Sequence, residues 1–99
     1  MDNSEIAIIF RDIADLLERK KENVFKIRAY RKAAGSIEEL TVDIGRLMSE
    51  DRLKEIPGAG EAITKKITEL ATTGKLDYYE RLKAEFTESI HSARGQGNG

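Results

Sequence analysis

The run L-K-E-I-P-G-A-G-E-A-I-T-K-K-I-T-E-L, from Leu53 to Leu70, decides how this chain folds. Leu53 and Ile56 precede the single proline, Pro57; Ala59 sits between Gly58 and Gly60; Ile63, Ile67 and Leu70 follow at steps of four and three. That spacing predicts two short helices joined by Pro57-Gly58-Ala59-Gly60, a helix-hairpin-helix over residues 53–73 with its apolar residues on one side. Glycines two apart reach backbone angles closed to other residues, and they put no side chain between the turn and an approaching ligand. The turn feeds directly into a helix N-terminus at Glu61, where unpaired N–H groups and the helix dipole favour an anion such as phosphate. A site of this kind grips a nucleic-acid backbone and not its bases, so binding is expected to be sequence-independent and salt-sensitive. Gly58 and Gly60 alone also suit a simple tight turn; the apolar residues around them make the pattern specific.

Outward from the hairpin, the rest of the chain reads as helix. Ile6, Ile9, Phe10, Ile13, Leu16 and Leu17 recur at three- and four-residue steps, predicting a first helix over 4–21 with Asn3 as its N-cap. A second helix is predicted to start after Asn23 and run to about Leu40, with Gly35 inside it marking a close contact or a bend. Between 41 and 55 the pattern breaks into a helical turn over Asp43–Met48 and a short helix capped by Ser49 and running to Lys54. Gly74 stops the second hairpin helix, and a last helix over 76–86 adds Leu76, Tyr79, Leu82 and Phe86 to the core. The glycine-rich residues after Ile90 read as a tail, with lone His91 given no catalytic role, so the expected division is a helical domain at 1–88 and a flexible tail at 89–99. Strand-like alternation is absent, and the fold class is all-α, a compact domain of four to five helices.

Ninety-nine residues with 39% hydrophobic content support one core and leave no room for a second domain with its own substrate cleft. The lack of cysteine excludes disulfides, thiol nucleophiles and cysteine-ligated zinc, and suits a reducing compartment. Charges at Glu5, Arg11, Asp12 and Asp15 interrupt the first apolar segment, so no signal peptide or membrane span is expected and the location reads as cytoplasmic. A net charge of −1 argues against a nucleic-acid binder, but its distribution argues the other way. Lys20, Lys21, Lys26, Arg28, Arg31 and Lys32 face Glu22 alone, a local positive field on a neutral body.

Two lysines are oddly placed. At about 100° per residue, Lys26 falls roughly 40° from Tyr30, on the apolar side of its helix. Lys66 falls about 70° from the stripe of Ile63, Ile67 and Leu70, while Lys65 points nearly opposite to it. Either lysine is accounted for as a boundary residue whose stem covers core and whose ammonium snorkels to water. The alternative is a pocket shared with Tyr30, where neighbouring cations and burial lower a lysine toward the free amine needed for Schiff-base chemistry.

The runs F-K-I-R-A-Y-R-K-A-A (Phe25–Ala34), L-K-E-I-P-G-A-G-E-A-I-T-K-K-I-T-E-L and T-G-K-L-D-Y-Y (Thr73–Tyr79) closely resemble the small N-terminal domain of family X DNA polymerases, the DNA polymerase beta type, over about Asn3 to Glu85. The resemblance implies binding to gapped or 5′-phosphorylated DNA in base excision repair, with the polymerase catalytic domain or another repair protein as a further partner. It places Lys66 at the Schiff-base lysine of a 5′-deoxyribose-phosphate lyase, Lys26 and Tyr30 at the 5′-phosphate and Lys54 at a basic position; Arg31, Gly58 and Gly60 are taken as further phosphate contacts. It also implies a monovalent cation, Na⁺ or K⁺, on the backbone carbonyls of Lys54, Ile56 and Ala59. The chain departs from the pattern at Thr64, where alanine is usual, and at Glu61 and Ala62, where a lysine often meets the phosphate. A second hairpin and the palm with its metal-binding aspartates do not follow, so these residues alone are not expected to polymerise DNA. A DNA-binding module, a lyase and a helical protein-interaction module without DNA binding all remain open readings.

Overall fold

In this computed structural model the backbone is described for residues 1–98 and the side chains for residues 1–87. Five α-helices and no strand appear among the described residues: α1 (Asn3–Arg19), α2 (Val24–Glu39), α3 (Ile44–Ser49), α4 (Glu61–Thr73) and α5 (Asp77–Asn98), with a 3₁₀ turn at Leu53–Glu55. The all-α expectation holds.

The cap of α1 lies one residue earlier than the sequence suggested. Asp2 accepts from the Glu5 N–H at 2.8 Å while the Glu5 carboxylate accepts from the Asp2 N–H at 3.1 Å, a reciprocal box that needs an acidic residue three positions on. Asn3 is thereby freed for a longer reach. Its side chain donates to the Val42 carbonyl at 3.0 Å and accepts from the Ile44 N–H at 2.9 Å, fastening the start of α1 to the entry of α3.

α1 and α2 form the principal packing pair, antiparallel across the short link Lys20–Asn23. Asn23 caps α2, accepting from the Phe25 N–H at 2.8 Å. Phe10, Ile13 and Ala14 of α1 meet Tyr30, Ala33, Ala34 and Ile37 of α2 in a core completed by Ile67, Leu70 and Leu76. Gly35 does not mark a close contact, since a Cβ there would meet nothing within 4 Å.

The first hairpin helix is shorter than predicted. Ser49 ends α3, its hydroxyl donating to the Arg46 carbonyl at 2.9 Å, and does not cap a new helix. Asp51 then takes a left-handed angle (φ 55°) and the Arg52 N–H closes on the Leu47 carbonyl at 2.7 Å. Three residues remain before Ile56, which Pro57 biases to extended backbone, so only the single 3₁₀ turn fits.

Gly74 ends α4 in the left-handed region (φ 77°), donating to Leu70. α5 runs beyond Phe86, and its helical backbone includes residues 89–98, where a flexible tail was expected. The stretch Thr87–Arg94 holds no proline or glycine to stop a helix, and Gly95 and Gly97 cost about 1 kcal/mol each without forbidding one. Its side chains, His91 included, lie outside the described residues, as does Gly99 altogether. α5 is pinned to α1 and to the link after it: Tyr79 donates its hydroxyl to Asp12, and Lys20 pairs with Glu85 at 2.8 Å.

Candidate functional site

The hairpin buries the residues its spacing selects. Leu53, Ile56, Ala59, Ile63, Ile67 and Leu70 are all buried, and the Ala59 N–H donates to the Ile56 carbonyl at 3.0 Å to close the turn. Gly58 has φ 84°, a left-handed angle, and a Cβ on it would come within 2.9 Å of the Lys32 Cγ. Gly60 differs from expectation. Its φ is −72° with extended ψ, open to any residue, so what it contributes is space, with nothing within 4 Å of where a Cβ would stand. It serves as the N-cap of α4 with no side-chain capping bond, which leaves the first N–H groups of that helix without a capping side chain. Glu61 beside them pairs with Lys65 at 3.5 Å, both more than three-quarters exposed.

Lys66 is half-buried on the inner edge of α4. Burial first, and then the charge of Lys26, hold its ammonium below the ordinary lysine value, with Glu69 pulling the other way. Lys26 is exposed at the start of α2, as a snorkelling lysine would be. The two meet on a residue that helix arithmetic did not reach: the Tyr78 ring centroid lies 4.9 Å from Lys66 Nζ and 5.6 Å from Lys26 Nζ. Tyr78 stacks on Tyr30 at 6.2 Å and 11°, and Tyr30 lies against Phe10 at 5.8 Å. Tyr30 is 4% exposed, so its ring works as the base of this column, and burial raises its hydroxyl above the ordinary value. An open cleft of about 250 Å³ adjoins the column, lined by Lys20, Glu22, Lys26, Tyr78, Arg81, Leu82 and Glu85.

The basic residues sort into two groups. Arg11, Arg31, Arg46, Arg52 and Arg81, with Lys20, Lys65 and Lys83, engage carboxylates. Arg31 in particular is turned onto α1, at 3.0 Å from Asp15 and 2.8 Å from Glu18, and does not join Lys26 and Lys66. Among the described residues, Lys26, Lys32, Lys54 and Lys66, like Arg19, Lys21, Arg28 and Lys75, have no ion-pair partner. Lys54 is exposed on the 3₁₀ turn, and Lys32 lays its stem along Gly58. The near-zero net charge therefore hides a set of uncompensated ammonium groups spread between the hairpin and α2. Lys32 and Tyr78 were not singled out from the sequence. Their roles depend on which segment packs beside them.

The carbonyls of Lys54, Ile56 and Ala59 are oxygen donors of the kind a hard cation such as Na⁺ or K⁺ takes. Ile56 already accepts from the Ala59 N–H, and Ala59 accepts from the Thr64 hydroxyl at 3.4 Å, each carbonyl keeping a second lone pair. Thus the departure at Thr64 puts a hydroxyl on the turn itself. No cluster of three or more His, Cys, Asp or Glu suited to a metal occurs among the described residues, and no helix there is long and apolar enough to cross a membrane.

The hairpin and its buried flanks define a class, and comparison with known families agrees: the chain matches the helix-hairpin-helix domain family over residues 1–76 and belongs to it. It is 31% identical over 90 residues to the DNA polymerase/3′-5′ exonuclease PolX of Bacillus subtilis (strain 168), a match covering 91% of this chain. The chain spans 15% of the length of that relative. The resemblance to the small domain of family X polymerases, drawn from the motifs, holds.

Proposed function

We propose that this domain binds gapped or 5′-phosphorylated DNA through its phosphates, as the small domain of a family X polymerase would. The observation that carries the reading is the convergence of Lys26 and Lys66, both without carboxylate partners among the described residues, on one ring. The open N-terminus of α4 at Gly60, with Lys32 and Lys54 around the hairpin, supplies a second, weaker grip on the backbone. Sodium or potassium on the turn carbonyls would add positive charge at that grip. Arg31 is left out of the assignment because Asp15 and Glu18 hold it.

The test is fluorescence anisotropy with a duplex carrying a one-nucleotide gap, 5′-phosphorylated or 5′-hydroxyl at the downstream strand, at low and moderate salt. Tighter binding to the phosphorylated gap is expected. Equal binding to both would remove the 5′-phosphate from the reading, and no binding at low salt would leave a protein-interaction module.

A second reading is favoured by the half-burial of Lys66 and its depressed basicity. In 5′-deoxyribose-phosphate lyase chemistry the neutral Nζ adds to the sugar aldehyde, water leaves, and the resulting iminium acidifies the adjacent carbon. Loss of that proton expels the 3′ oxygen, and water then releases the sugar from the lysine. Borohydride should trap a covalent adduct on incised abasic DNA, and Lys66→Ala should abolish it. Absence of any adduct at low salt would end this reading while leaving DNA binding intact.

A further inference from the structure

Two ammonium groups side by side repel, and nothing of opposite charge within ion-pair distance holds Lys26 or Lys66 among the described residues. What they share is the ring of Tyr78, at 5.6 Å and 4.9 Å, both inside the range of roughly 6 Å over which an aromatic face attracts a cation. The ring is itself held. It stacks nearly parallel on buried Tyr30, which rests on Phe10 in the core, so three residues from α5, α2 and α1 fix the plane on which the lysines meet.

We propose that Tyr78 is a positioning residue whose aromatic face gathers Lys26 and Lys66 into one receptor for a terminal phosphate monoester. The claim rests on the 5′-phosphate reading above and names the element that makes the two lysines a unit. A monoester carries close to two negative charges at neutral pH and an internal phosphodiester only one, so paired cations discriminate a strand end from the continuous backbone. The ring does this, not the hydroxyl. Either lysine alone would serve any phosphate; together they favour the end.

The experiment compares the ratio of affinities for 5′-phosphorylated and 5′-hydroxyl one-nucleotide gaps in the wild-type chain, Tyr78→Leu and Tyr78→Phe. Tyr78→Leu should cut the ratio about tenfold or to unity, and Tyr78→Phe should retain it. An unchanged ratio in Tyr78→Leu, or an equal loss in both variants, would overturn the proposal. A ratio of one in the wild type would strike the underlying 5′-phosphate reading instead, which the wild-type measurement alone reveals. Should Tyr78→Leu fail to fold by circular dichroism, NMR of the wild type decides the geometry. Ring-current-shifted ε-methylene protons on Lys26 and Lys66, with cross-peaks to the Tyr78 ring, are expected, and their absence would refute the gathering.

Discussion

Lys32 lies along the backbone of Gly58, its Cγ 2.9 Å and its Cδ 3.0 Å from where a Cβ at position 58 would stand. The contact joins α2 to the hairpin turn, and it sets the two glycines of the turn apart. Gly58→Ala must adopt a left-handed angle and displace the Lys32 stem, so it should cost about 1–2 kcal/mol from the angle alone. Gly60→Ala needs neither and should cost under about 1 kcal/mol, as an alanine replacing a glycine cap. Urea unfolding of the two variants checks the contrast; equal losses would mean the turn does not hold this shape.

Salt dependence separates the ammonium groups that face DNA from those that face the protein. Lys54→Ala should weaken binding to any duplex and reduce the slope of log affinity against log salt by about one. Arg31→Ala should leave the slope unchanged, because Asp15 and Glu18 already neutralise the guanidinium. A salt titration of each variant by anisotropy decides, and a slope lost with Arg31 would restore that residue to the interface.

Lys66 predicts a pH dependence. Its folded value lies below the ordinary 10.5, so the unfolded chain holds more protons between the two values. Stability contributed by this group is therefore absent at lower pH and gained as pH rises through the folded value. For Schiff-base trapping the same shift brings the free amine into play earlier, with a midpoint below 10.5. Lys26→Ala removes a like charge and should move that midpoint upward, though not all the way, since burial remains the larger cause. A trapping-rate profile against pH that does not move in Lys26→Ala would show that the two ammonium groups do not sense each other.

Asn3 gives a test of the α1–α3 junction. Asn3→Ala removes two part-buried hydrogen bonds and leaves the Ile44 N–H without its acceptor, a loss of about 1–3 kcal/mol. Asn3→Asp keeps the acceptor for Ile44 but not the donor to Val42, and should fall between. Thermal melts that rank aspartate with alanine would assign the whole effect to the Val42 bond.

Those bonds also show where reading the sequence stopped. Helices α1, α2 and α4 were legible because Ile6, Phe10, Ile13 and Leu17, or Ile63, Ile67 and Leu70, repeat on one face, and because Asn23 and Gly74 punctuate their ends. The Asp2–Glu5 box was written in the sequence too, but Asn3 is as good a cap by type, and only its long reach to residues 42 and 44 takes it elsewhere. Lys26 and Lys66 could be flagged from helix angles, since each sits at the margin of its own stripe. Tyr78 could not, because the ring that joins them comes from another helix, and no periodicity within α5 reports what α2 and α4 bring to it. The pairing of Arg31 was hidden for the same reason, since its partners Asp15 and Glu18 sit on α1, another helix.

The stacked column has an optical consequence. The chain has no tryptophan and three tyrosines, Tyr30, Tyr78 and Tyr79, so its near-ultraviolet absorption and intrinsic emission come chiefly from the seam where α5 meets α1 and α2. Two of those rings are coupled face to face and the third gives its hydroxyl to a carboxylate, Asp12. The molecule thus carries a built-in chromophore, two of whose three rings belong to the column where Lys26 and Lys66 converge, while amide absorption reports the helices as a whole. Tyrosine emission, to which DNA adds almost nothing, therefore reports this seam, and a change in it on mixing with DNA is a label-free signal that includes the ring on which Lys26 and Lys66 meet.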